Sequence, residues 1–213
     1  MSTQVEMAYR YLKDRILDGT YKPAQKLTES DLSQVIGVSR NTVKQALLKL
    51  EQEKLVEIES NKGARIKSLT LDEILNYLQI REVLEGLVAS SAAVNINDTQ
   101  IRKMEDLLEN MREHVDSDNL DEYSVKNREF HDVIYEASTN VQAVDMIKII
   151  KNQLNRYHFR TILVPGRTKE SLMEHKLILD ALKTHDSYAA QQAIQVHISH
   201  IRETIDKHYN YLI

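Results

Sequence analysis

The chain has 213 residues, 42% of them apolar, which is enough to bury a core in each of two modest domains. It contains no cysteine, which excludes disulfides, thiolate catalysis and a cysteine zinc finger, so any metal must be held by His, Asp, Glu or Asn. The net charge of −4 is uneven: residues 1–70 hold 12 Lys and Arg against 9 Asp and Glu, the rest 16 against 23, so only the N-terminal third suits a polyanionic partner.

At the N-terminus, residues 1–6 have neither the basic start nor the apolar run of a signal peptide. No stretch of the chain is long and apolar enough to span a bilayer, so a cytoplasmic protein without membrane contact is expected. With 5 Gly and 2 Pro, long loops are disfavoured and a mainly α-helical fold follows. Thr28 reads as an N-cap with Asp31 three positions on, and Leu32, Val35 and Ile36 then share one apolar face, predicting a short helix that ends at Gly37. Val38 and Ser39 supply a staple and a second N-cap. Beyond them Val43, Ala46, Leu47 and Leu50 recur at helical spacing and leave Arg40, Asn41, Thr42, Lys44 and Gln45 mostly on the other face. Two short helices hinged at a glycine, the second opening on polar and basic residues, make a helix-turn-helix, whose second helix meets base edges and phosphates in the major groove. Residues 55–59 and 64–67 alternate around the turn Ser60-Asn61-Lys62-Gly63, the pattern of a hairpin, with basic residues that place a β-wing beside the reading helix.

Residues 9–67 resemble the winged-helix domain of GntR-family transcriptional regulators. The resemblance is carried by Ile16-Leu17-Asp18-Gly19-Thr20-Tyr21-Lys22-Pro23, by Leu27-Thr28-Glu29, by Gly37-Val38-Ser39-Arg40, by Ala46-Leu47-Leu48-Lys49-Leu50-Glu51 and by Gly63. It implies a DNA-binding set of Thr28, Ser39, Arg40, Asn41, Thr42, Lys44, Lys62 and Gly63 on double-stranded operator DNA. Several positions depart from the family pattern: Ala24 and Lys54 stand where glycine is common, Asn41 where Thr is common, Lys44 where Arg is common, and Ser30 where some members carry a DNA-contacting Arg. Lys lacks the fork that Arg offers to guanine, so the operator sequence cannot be carried over from relatives.

A junction falls near Lys67-Ser68-Leu69-Thr70, dividing a winged domain, residues 1–69, from a helical domain, residues 70–213. The second part reads as six helices, about 71–93, 98–115, 120–137, 141–163, 168–183 and 187–209, separated by short polar or Pro-Gly breaks. Asn127 and His131, four apart, share a helix face; His175 and His197 lie on two further helices. Such groups can converge on one cation in a bundle core, and imidazole suits zinc, nickel or iron, although spacing alone equally allows structural histidines.

Asn127-Arg128-Glu129-Phe130-His131, Glu174-His175 with Ile178 and Ala181, and the run from Asp186 through Ala190 to His197-Ile198 resemble the three histidine segments of the FCD domain, the effector-binding domain of the FadR-type subgroup; Arg81-Glu82-Val83-Leu84-Glu85 resembles its opening helix. The resemblance implies a divalent transition metal, zinc or nickel, on Asn127, His131, His175 and His197, a small organic acid effector at or near it, and a homodimer whose geometry the effector shifts. Arg81, Arg128 and Tyr157 are the candidate effector contacts; Arg81 has the alternative of a helical pair with Glu85. His200 is a candidate extra ligand. A metal-dependent hydrolase or lyase with an accessory basic domain is the alternative reading. Against it stands the lack of a general base, since Glu129 and Glu174 adjoin ligands in sequence and are expected to point elsewhere.

Overall fold

A computed structural model of the chain describes residues 3–59, 63–155 and 161–212. These form two compact units, one of residues up to Thr70 together with 151–155, the other of 71–150 with 161–212. The first contains α1 (Thr3–Leu17), β1 (Lys26–Leu27), α2 (Glu29–Ile36), α3 (Arg40–Gln52), β2 (Val56–Glu59) and β3 (Gly63–Ile66). Ala8, Leu12 and Ile16 recur every four residues on α1 and are buried with Val43, Ala46, Leu47 and Leu50 of α3. Leu55, Val56, Ala64 and Ile66 close that core from the sheet.

Both expected caps form. Thr28 Oγ1 accepts from the Asp31 N–H at 3.2 Å, and Ser39 Oγ from the Thr42 N–H at 3.1 Å. Gly37 ends α2 at φ 74°, its N–H returning to the Ser33 carbonyl. Val35, expected on the apolar face with Leu32, is instead 62% exposed; a two-turn helix has room for little more than Leu32 and Ile36 against α3. The hairpin expected at 55–67 is present as β2 and β3, with Val56 opposite Ile66 and Glu59 opposite Gly63. The sheet has a third strand that the sequence does not announce. Lys26 and Leu27 pair with Arg65 and Ala64 in the order β1-β3-β2, and two residues are too few to show alternation.

Ala24 and Lys54, the two positions where the sequence departs from a familial glycine, adopt φ 64° and 58°. Lys54 follows the end of α3, where the Leu55 N–H closes back on the Leu50 carbonyl at 2.9 Å and the residue between must be left-handed. A side chain there is strained by roughly 1 kcal/mol. Lys54→Gly and Ala24→Gly are each expected to raise unfolding free energy by about 0.5–1 kcal/mol, read from urea denaturation midpoints; an unchanged or lowered midpoint for both contradicts the strain argument.

The second unit is an all-helical bundle of α4 (Leu71–Asn95), α5 (Asp98–Asp116), α6 (Leu120–Ala137), α7 (Val141–Asn155), α8 (Arg167–Lys183) and α9 (Ser187–Leu212). Helix α4 packs along α9 and α5 against α6 and α8. The core runs from Val88, Ala89, Ala92 and Ala93 through Phe130, Val133 and Ile134 to Ile178, Leu182, Ile194 and Ile198. Five of the six expected helices lie within a few residues of their expected bounds. The fourth does not reach Leu163: residues 161–163 form a 3-10 turn before Val164-Pro165, where the ring of Pro165 turns the preceding residue away from α geometry. The last turn of α7 groups with the first unit, where Gln153 Nε2 donates to the Glu53 carbonyl at 2.9 Å.

Candidate functional site

The outward face of α3 is set by its cap. Ser39, Arg40, Asn41 and Lys44 are exposed side by side, and Arg40 Nη2 donates to Ser30 Oγ at 3.2 Å from α2. Thr42, expected on this face, is buried; its Oγ1 lies 2.9 Å from Ser39 Oγ, because the third helical position folds back onto the cap. Thr28 is half-buried and engaged as the α2 cap. Gly63, expected at the DNA, also has a structural task. At φ 98° it passes so close to β1 that a Cβ would stand 2.1 Å from the Leu27 carbonyl oxygen. Lys62 and Tyr157 lie outside the described residues.

In the second unit His131 of α6, His175 of α8 and His197 of α9 each bring one ring nitrogen to within 4.8 Å of the others, and all three are buried. The Nε2 atoms of His131 and His175 are 3.3 Å apart. Asn127, one turn before His131 on α6, has a buried Oδ1 that accepts no hydrogen bond from the described residues. A bare carbonyl oxygen inside a protein is costly unless a cation or donor faces it.

The outer nitrogens decide which way the lone pairs point. His175 Nδ1–H donates to the Ser171 carbonyl at 2.6 Å, and Ser171 Oγ in turn accepts from the Tyr123 hydroxyl at 2.8 Å. His197 Nδ1 lies 2.6 Å from Glu174 Oε2. Both arrangements put the proton on Nδ1 and leave Nε2 as a lone pair facing the cluster. Burial, then the nearness of His197, depresses His175 to about 3, overriding its bond to Ser171; burial lowers His197 as well, against the pull of Glu174. Neutral imidazoles are the form that binds metal.

Glu174 corrects an expectation: rather than pointing away, its carboxylate accepts from His197 and, at 2.7 Å, from His200 Nδ1, and Arg167 donates to both oxygens at 3.0 and 2.7 Å. It lies between α8 and α9, so a residue one position from a ligand still faces inward. Burial raises its pKa, but the hydrogen bonds from His197 and Arg167 outweigh that and hold it at about 2. A carboxylate so saturated with donors is a poor general base. His200 is half-exposed and stands outside the three-histidine group.

Arg81 and Glu85 form the helical pair, Nε to Oε1 at 2.8 Å, but deep in the unit rather than on its surface, and the Tyr135 hydroxyl donates to the same oxygen at 2.8 Å. Arg128 is exposed on α6. The sequence reading missed Arg167 and Tyr135, and it noted Glu174 only for adjoining His175 and Glu85 only as a helical partner of Arg81, without their burial.

The sequence profile of the FCD domain matches residues 76–200, and that of the gntR family of bacterial regulatory proteins matches residues 4–66. The HTH-type transcriptional repressor RspR of Escherichia coli K12 is 26% identical over 200 residues, 94% of this chain and 88% of that protein. The gluconate operon transcriptional repressor of Bacillus subtilis 168 is 26% identical over 216 residues, 96% of this chain and 86% of that protein. The solved structure of E. coli McbR/YncC has the same fold, with a TM-score of 0.76 at 20% identity over 98% of this chain and 100% of that one. The gntR profile thus spans the unit with the exposed polar and basic α3 and the β-wing, the FCD profile spans the helical unit with the three buried histidines, and the chain belongs to the GntR family of transcriptional regulators, in the group that carries an FCD effector-binding domain.

Proposed function

We propose that this regulator holds a divalent transition metal, zinc or nickel, on His131, His175, His197 and Asn127, and that a small organic acid completes the site and changes operator affinity. The observation that carries this is the donor set itself. Two imidazole nitrogens bound to a tetrahedral ion at about 2.0–2.1 Å stand about 3.3 Å apart, which is the His131–His175 separation. Three imidazoles and an amide bring no negative charge, so the ion keeps its +2 and draws an anionic ligand. When bound, the metal supplies a cationic anchor for a carboxylate. Tyr123 and Ser171 fix the ring of His175, while Arg81, a candidate contact for the acid, is paired with Glu85. The gluconate operon repressor among the relatives is consistent with an acid as signal.

The functional form is a homodimer acting on DNA in the cytoplasm. Helix α4 is apolar on two faces. One is buried in the bundle through Ile74, Leu78, Val88 and Ala92; the other exposes Ile80, Val83, Leu87 and Val94. With the small, half-buried Ser90 between Leu87 and Val94, these follow one another at spacings of three, four, three and four, a seam without charge that complements itself across a two-fold axis. Two chains per operator match two half-sites, and an effector worth ~1–3 kcal/mol of coupling is enough to switch occupancy.

The test is anisotropy on an operator selected from random duplexes, with protein purified without chelator and assayed by elemental analysis. We expect one metal per chain, two chains per duplex by light scattering, and affinity that moves on adding acids. Arg40→Ala is expected to weaken binding at least tenfold, the worth of about one lost base or phosphate contact. Wild-type affinity for that variant removes α3 as the reading helix; metal-free protein removes the effector reading.

A further inference from the structure

His197 and His175 differ in what holds Nδ1: a carbonyl for His175, a charged carboxylate for His197. Glu174 is itself fully engaged, by His197 and His200 from α9 and by the two terminal nitrogens of Arg167 from its own helix. Glu174 and Arg167 are 7% and 4% exposed. The outer edge of His200 lines a cavity of about 580 Å³ bounded by α8, α9 and the Val164-Pro165 turn. A buried carboxylate that accepts four hydrogen bonds and reaches a histidine of the cluster does more than cross-link two helices. The neutral donor set gains its electron density through that contact, because a carboxylate on Nδ1–H raises the basicity of Nε2 and fixes the ring.

Resting on the metal reading above, we propose that Glu174 is the positioning residue of the centre, acting through His197, and that Arg167 is the clamp that keeps its charge buried there. A purely structural ion pair gives a different pattern. Its loss lowers stability, and replacing both partners by neutral groups restores stability and metal affinity together. A positioning residue separates the two, since a neutral pair repacks the helices and still leaves His197 without its carboxylate.

The experiment is titration of the full-length, metal-free chain with Co(II), following the visible ligand-field bands and competition with a chelator, alongside the melting temperature of the metal-free form. Glu174→Gln is expected to weaken Co(II) ~10- to 100-fold and to shift the bands. The double variant Arg167→Met with Glu174→Gln is expected to melt near the wild type yet bind Co(II) as weakly as the single one, so the claim survives even if Glu174→Gln alone fails to fold. His200→Ala, which leaves Glu174 on His197, is expected to bind near wild-type affinity. Recovery of wild-type Co(II) affinity in the double variant overturns the proposal while leaving the metal reading intact. A wild-type chain that takes up no Co(II) overturns both.

Discussion

His131→Ala or His175→Ala is expected to abolish metal-dependent stabilisation. Each removes one of three nitrogens that lie within 4.8 Å of each other in a buried site, and no other group of three or more His, Cys, Asp or Glu side chains among the described residues is placed to replace it. A ligand bound only by the native state stabilises by about 2.7 kcal/mol at a hundredfold excess over its Kd. The wild type should therefore melt several degrees higher when zinc or nickel is added, and both variants should melt at the same temperature with and without metal. Losing a ligand costs more than losing its outer hydrogen bond, so affinity should fall by at least ~100-fold. Acid should mimic the mutations. His175, held down at about 3, and His197, also lowered, are neutral in the fold, so unfolding takes up protons below the ordinary imidazole value of about 6.5. The stability they contribute is complete above that pH and is lost as pH falls from it toward 3, and protons displace metal over the same range. A metal-induced rise in melting temperature that persists in both alanine variants would assign the ion to other residues.

Gly63→Ala should be the most damaging small substitution in the winged unit. The added methyl meets backbone, not a movable side chain: the Leu27 oxygen at 2.1 Å and the Thr28 Cα at 3.0 Å, with φ at 98°. Relief requires β3 to part from β1, which frees the Leu27 segment and disturbs Thr28, the α2 cap. A cost of about 3 kcal/mol or more is expected, a large share of the 5–15 kcal/mol that holds a domain together. Gly37→Ala is the control. Its φ of 74° is equally left-handed, but no atom lies within 4 Å of the added carbon, so only the conformational penalty of about 1 kcal/mol applies. Chemical denaturation of the two variants should separate them by about 2 kcal/mol; equal midpoints would show that the approach of β3 to β1 is not what demands glycine at 63.

What is legible in the sequence is periodic or local. Helices α5, α6 and α8 repeat their apolar residues often enough to mark their extent, and Thr28, Ser39 and Gly37 announce their caps because a cap is a bond between neighbours. Asn127 and His131 can be paired because four residues return a helix to the same side. Where the reading fails, burial or a contact far along the chain decides. Helical periodicity puts Val35 inside and Thr42 outside, and the small packing area of α2 and the fold-back at the α3 cap reverse both. Nothing local to Gly63 reveals that β1, thirty-six residues earlier, presses on it, so its structural task is not legible beside the expected nucleic-acid contact.

The sequence by itself determined two domains of opposite charge, a helix-turn-helix with a wing, a bundle of helices and the residue types from which a metal site could be made, since charge, period and capping are properties of adjacent residues. Tertiary structure alone decided that three histidines from three helices meet, that the ring nitrogens of His175 and His197 turn their lone pairs inward, and that Glu174, expected to point elsewhere, stands behind them with Arg167. Hydrogen-bond direction and burial depend on the rotation and depth at which helices pack, and no spacing along a single chain encodes those.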